Sequence, residues 1–184
     1  MPSPVGHALA GAAAGWLVAP RGKRDELLRW GGIFALAGTA ADFDLLARVH
    51  RGPSHSLAAA LAAGVAAWMV CAAISSIWRD RRDAPRYDRL GAVRLASAVS
   101  AAYATHTLLD WLGVDTWAPF GIMALWPVTD HYYQSSWHIF LAVSRRYWLP
   151  DFWTLNLHAL VRELAILGPI AAAAGRWRWR RPSA

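Results

Sequence analysis

Cysteine is nearly absent: Cys71 is the single one in 184 residues, and it lies inside an apolar run. That excludes an intrachain disulfide, and a cysteine-based zinc site would lack partners. The opening stretch, MPSPVGHALAGAAAGWLVAP, has no basic n-region, and its positive charges follow the apolar residues. It therefore reads as a retained first helix and not as a cleavable signal peptide.

Hydrophobic residues make up 56% of the chain and the mean hydropathy is positive, which argues against a soluble protein. Several of the 12 Trp sit beside apolar runs, as tryptophans at a membrane interface do. A net charge of +7 could suit nucleic acid. Here, however, the basic residues form short clusters between apolar segments, the pattern of cytoplasmic loops and anionic headgroup contacts. No nucleic-acid partner is expected. The terminal RWRWRR reads as a basic-aromatic anchor at the headgroups.

The chain reads as one all-α, multi-pass transmembrane domain over residues 1–184. Three segments are long enough to cross about 30 Å of hydrocarbon: Ser56–Trp78, about Ala92–Leu112 and about Leu155–Gly175. The segments 4–19 and 30–41 are apolar but short, suiting partial spans or helices sunk among the others. Ala and Gly dominate Gly6–Gly15, which favours close helix packing. Trp117–Pro150 is aromatic and contains proline, and is expected to form an interfacial cap with short helices, one over Trp137–Val143.

Basic clusters set the orientation. Arg21, Lys23, Arg24 and Arg29 lie between the first two segments. Arg79, Arg81, Arg82, Arg86, Arg89 and Arg94 lie between the next two, and Arg176, Arg178, Arg180 and Arg181 follow the last. If these are cytoplasmic, the segments alternate consistently and the other connections face outside.

On that map the metal-type ligands gather at the outer face. His7 is at the outer end of the first segment. Asp42 and Asp44 follow the second, in ADFDLL. His50 and His55 lie in HRGPSHS, and His106 and Asp110 near the outer end of the fourth, in THTLLDW. The basic loops contain no histidine. His106 and Asp110 are four apart, so on a helix they share a face and can grip one ion. Asp42 and Asp44, two apart, suit a turn that presents two carboxylates, or one ligand and one supporting group. Imidazole with carboxylate favours Zn, Mn or Fe over Ca or Mg, and more than four ligands permits one ion or two. Arg51 could clamp an anionic oxygen such as phosphate.

Each motif alone has a plainer explanation. His7 suits an interfacial polar residue or a helix cap, and Asp42 and Asp44 could cap a helix near Leu45. HRGPSHS is turn chemistry, with Ser54 able to cap the next helix. His106 and Asp110 could be a hydrogen-bonded pair. Jointly these explanations need several independent coincidences, and ionisable groups within spans point to function. Glu163 could be a ligand, a supporting group, a general base, or an ion-pair partner of Arg162 or Arg94. His131, His138 and His158 belong with the aromatic cap.

An early His, a D-x-D after the second apolar segment, HRG-x-x-HS and a later H-x-x-x-D resemble the YdjM-like bacterial and archaeal membrane proteins. These are described as inner-membrane metal-dependent hydrolases, one carrying a LexA-binding label. The resemblance covers about Gly6–Trp126 and extends to the helix bearing Glu163. Ala41 stands where the family commonly has Pro. A fainter similarity connects the early His and the H-x-x-x-D helix with zinc-dependent phospholipases C. The resemblance implies His7, Asp42, His55, His106 and Asp110 as metal ligands, with Asp44 and His50 as ligands or supporting groups.

The reading is a membrane-bound hydrolase that uses divalent metal, Zn foremost, on a lipid-like phosphoester or other ester. Arg51 is expected to hold substrate, and Asp44 or Glu163 to take a proton. The alternatives are a metal or proton transporter or sensor, and a structural membrane protein that recruits a soluble partner.

Overall fold

The computed structural model describes residues 1–19, 24–47, 50–77 and 88–180. Among these residues there are five α-helices: α1 (Pro4–Val18), α2 (Arg24–Thr39), α3 (Leu57–Ile77), α4 (Arg89–Trp111) and α5 (Phe152–Trp179). Two 3-10 stretches, Ala40–Ala47 and Pro53–His55, lie between α2 and α3. Among the described residues there is no strand, only two isolated bridges, Gly113 with Phe140 and Ile122 with Tyr133.

α1 is the hub, packing against α2, α4 and α5, while α3 lies on α4. Its sequence explains the position. The buried residues of α1 are Gly, Ala and one histidine, so neighbouring backbones can approach closely. The tightest approach is at Gly11 and Gly38. A Cβ on Gly38 would lie 2.5 Å from the His7 carbonyl oxygen, and one on Gly11 2.5 Å from that of Phe34.

Two helices, α3 and α5, are long and apolar enough to cross a membrane. In the apolar window of α3 only 17% of residues are buried within the protein. Leu61, Val65, Trp68, Met69 and Val70 are exposed. A core helix of a soluble protein would hide such residues; these are left for an apolar surrounding.

Helix ends follow local chemistry. Ser56 caps α3 by accepting from the Ala59 N–H at 3.1 Å, so the expected cap at Ser54 is displaced by two residues. Asp88 caps α4 through the Gly91 N–H at 2.8 Å. α2 begins six residues before Trp30, because hydropathy marks only the apolar part of a helix that starts in a charged turn. The expected helix over Trp137–Val143 does not form. The segment is irregular, with Trp137 in a turn and His138 at φ 48°, and it is tied to other parts of the chain: the Val114 N–H donates to the Phe140 carbonyl at 2.9 Å and the Val143 N–H to that of Met1 at 3.1 Å. Cross-chain pairing satisfies backbone groups that a short helix would leave open at its ends.

The irregular stretch between α4 and α5 is held to the other connections. The Met123 N–H donates to the Arg51 carbonyl and the Leu57 N–H to that of Ala124, at 3.1 and 3.0 Å. It therefore lies at the end of the bundle that carries the start of α1 and the turn before α3. Arg21, Lys23, Arg79, Arg81, Arg82, Arg86 and Arg181 of the basic clusters, and Trp78, fall outside the described residues.

Candidate metal centre

Four separate elements deliver side chains to one buried point. His7 comes from the first turn of α1, and His55 from the turn before α3. His106 and Asp110 come from successive turns of α4. All four are essentially inaccessible to solvent. Asp42, in the 3-10 stretch after α2, closes the set from a half-buried position. The Asp110 carboxylate is central. One oxygen is 3.3 Å from His7 Nε2; the other is 3.4 Å from His55 Nε2 and 3.2 Å from His106 Nε2. Asp42 Oδ1 lies 3.8 Å from His55 Nε2 and 3.7 Å from His106 Nε2. The His7 and His106 rings stack with centroids 3.8 Å apart.

These close distances are not hydrogen bonds. The Nε2 atoms of His7, His55 and His106 and both Asp110 oxygens are buried without a hydrogen-bond partner. The far sides of two rings show why. His106 Nδ1 lies 2.8 Å from the Gly38 carbonyl, which can only accept, so Nδ1 carries the hydrogen. His55 Nδ1 lies 3.0 Å from Ser54 Oγ, whose own hydrogen goes to Asp44 Oδ2, and 3.2 Å from that same oxygen, so it takes the same tautomer. Each Nε2 then turns a lone pair toward carboxylate oxygens, a repulsive arrangement unless a cation or proton sits between them. Buried polar atoms are otherwise nearly always satisfied. Three imidazole nitrogens with carboxylate oxygens are the donors of a Zn, Mn or Fe site.

The grouping is double. One ligand atom each from His7, His106 and Asp110 falls within a 4.8 Å cluster, and so does one each from Asp42, His50 and His55. Burial pushes the Asp42 carboxyl up, but the neighbouring His55, His106 and His7 imidazoles outweigh it, so Asp42 stays below the usual carboxylate range. Burial lowers His50 further than its bond to Asp44 raises it.

Asp44 stands behind the histidines. Its carboxylate meets His50 Nδ1 and His55 Nδ1, each at 3.2 Å, and accepts from Ser54 Oγ at 2.6 Å. This is the carboxylate–histidine arrangement that fixes ring orientation and raises basicity.

Glu163 is fully buried on α5, and both its oxygens are used at the start of α1. One accepts from the Ser3 N–H at 2.6 Å and the other from Ser3 Oγ. Ser3 in turn caps α1 through the Gly6 N–H. Glu163 therefore anchors the turn that carries His7, and neither Arg94 nor Arg162 pairs with it. Gly6 makes room: a Cβ there would lie 2.7 Å from Glu163 Oε2.

Arg51 is also committed. Its guanidinium pairs with Asp115 at 2.9 Å and donates to the Trp117 and Pro119 carbonyls, both at 2.7 Å, and to Met1 Sδ at 3.1 Å. It braces the irregular segment, leaving little of the fork for a ligand. His131 and His138 are exposed and apart from the cluster, and His158 borders a neighbouring cavity. Ser3, Asp115 and the Gly38 carbonyl went unnoticed in the sequence. Only Asp115 carried a signal, as an acid near Arg51's end of the chain fold, and a backbone carbonyl carries none.

No curated protein and no solved structure matches the chain. The profile of the YdjM inner membrane protein family matches residues 1–180, nearly the whole length and more than the motifs alone covered, and the chain belongs to that family.

Proposed function

We propose that this chain is a multi-pass membrane hydrolase that depends on divalent metal, with its site at the extracytoplasmic boundary of the inner membrane. One observation carries the reading: three buried Nε2 atoms and two carboxylate oxygens converge, and none of the five has a hydrogen-bond partner. His7, His55, His106 and Asp110 would hold the ion, with Asp42 completing the set from the half-buried side. Bound there, a divalent ion supplies Lewis acidity and a water that loses its proton near neutral pH.

The chain's own groups do the rest. Gly38 and Asp44 hold the rings of His106 and His55 in the ligating tautomer. Asp44 also orients His50, whose Nε2 lies on the cavity side, 3.4 Å from Arg145. His50, which also meets Met1 Sδ at 3.1 Å through Nε2, would serve as a base beside one bound ion or as a ligand of a second. Asp44 and Glu163, the bases expected first, have their oxygens engaged and act by positioning. The orientation is read from the positive-inside pattern: among the described residues, Arg29, Arg89, Arg94, Arg176 and Arg178 sit on the halves of their helices away from the site.

Metal analysis of detergent-purified protein, with turnover of a chromogenic phosphodiester, tests the reading. The native chain should hold one or two Zn, Mn or Fe per molecule and turn over, and His106→Ala should lose both. Full metal in His106→Ala would sink the ligand assignment. Metal without turnover, but with uptake into vesicles that Asp110→Asn abolishes, would replace hydrolysis by transport.

A further inference from the structure

A cavity of about 830 Å³ opens beside His50, within the range of small-molecule sites. The irregular segment and the start of α5 enclose it. Its apolar wall includes Val114, Leu141, Val143, Leu149 and Leu155. Its charged groups are Arg51, Arg145, Arg146 and Asp151, with His50 and His158. Arg51 is already paired with Asp115. Arg145 and Arg146 have no carboxylate partner among the described residues. Arg145 reaches to 3.4 Å from His50 Nε2, and Arg146 lies over the Trp117 ring, 4.1 Å from its centroid.

Two guanidinium groups from consecutive residues, neither paired with a carboxylate, lining a cavity with an apolar wall, match a molecule with a phosphate head and a hydrocarbon tail. The surroundings point the same way. Trp117, Phe120, Tyr147, Trp148 and Trp153 are all more than half exposed around this part of the protein, as aromatic side chains are at headgroup level.

We infer that this cavity binds an anionic phospholipid, its phosphate held by Arg145 and Arg146 and its acyl chains lying along Leu141, Leu149 and Leu155. Arg145 and Arg146 thus take the recognition role that sequence suggested for Arg51. That the bound lipid is also the substrate rests on the hydrolase reading; that it binds does not.

Calorimetric titration of full-length protein in a maltoside detergent separates the two. The probes are dihexanoyl phosphatidic acid, dihexanoyl phosphatidylcholine and inorganic phosphate. Phosphatidic acid should bind at least about tenfold more tightly than either of the others. The Arg145→Ala/Arg146→Ala variant should lose about tenfold or more of that affinity, and His106→Ala should keep it. Ala142→Trp, which fills the cavity and spares both arginines, should also block binding, so misfolding of the double variant would not protect the inference. Equal binding of the two lipids, unchanged affinity in either cavity variant, or phosphate binding as tightly as phosphatidic acid would overturn it. Lipid binding retained in a protein that never turns over would leave the cavity standing and remove the hydrolase reading.

Discussion

Ser3 and His7 are one turn apart at the start of α1, and each meets a buried carboxylate. Beside Ser3, Glu163 accepts two hydrogen bonds and its oxygens are satisfied. Beside His7, Asp110 is just as deeply buried, yet neither oxygen has a donor. The contrast separates two uses of a buried charge. A carboxylate that joins helices is satisfied by the protein, because an unpaired one costs several kcal/mol, on the order of the Born penalty after relaxation. One left unsatisfied among three imidazole nitrogens calls for a cation or a proton among them.

The strongest way to break the contrast is to change Asp110 itself. Asp110→Asn should reduce metal affinity by more than about 100-fold, since one oxygen becomes an amide that cannot ligate as a carboxylate does. The metal-free variant should be at least as stable as metal-free native protein, because a buried charge without a partner has been removed. Metal content by mass spectrometry and thermal unfolding in detergent read the two halves. A variant that keeps its metal, or that unfolds more easily than metal-free native protein, would place Asp110 in the same class as Glu163.

A smaller loss is expected one layer out. Asp44→Ala removes the group behind His55 and His50 and should weaken metal binding by about 10- to 100-fold in chelator competition. Asp44→Asn keeps an acceptor oxygen and should fall between native and Ala. If Asp44 were itself a ligand, Asn and Ala would lose metal alike.

Glu163→Ala probes the satisfied side. It strands the Ser3 donors and should destabilise the protein by about 1.5–3 kcal/mol, the scale of hydrogen bonds to a charged group. Metal affinity should fall less than in Asp44→Ala, because the His7 backbone is held also by Gly11 and Gly38. Loss of all metal with unchanged stability would make Glu163 a ligand after all.

These residues also show how much the sequence made legible. The all-helical fold followed from apolar runs, and α3 and α5 agree with them within a few residues. The clustered residues were legible because four regions each placed His or Asp near one end of a segment, a pattern that survives without coordinates. The assignments to Asp44, Glu163 and Arg51 were less legible. Their partners are Ser54, Ser3, Asp115 and backbone carbonyls, and spacing along the chain does not reveal which buried acid has already found a donor. The Trp137–Val143 segment was misjudged for a related reason. Its pattern suits a short helix, but pairing with Gly113, Val114 and Met1 decides its shape.

The smallest expected effect lies at the edge of the network. Tyr103 on α4 donates to the Ser54 carbonyl at 2.8 Å, holding the turn whose side chain reaches Asp44. This bond is only partly buried, so in Tyr103→Phe water can replace the lost donor, and the cost should be at or below about 1 kcal/mol. Metal affinity should stay within about threefold of native, a shift of under about 1 kcal/mol. The Asp44–His55 contact does not pass through Tyr103, and α3 keeps its own cap at Ser56. A larger drop in metal affinity, at unchanged stability, would mean that orientation of His55 depends on the whole turn and not on Asp44 alone. The boundary between satisfied and unsatisfied regions would then lie farther from the cluster than the hydrogen bonds indicate.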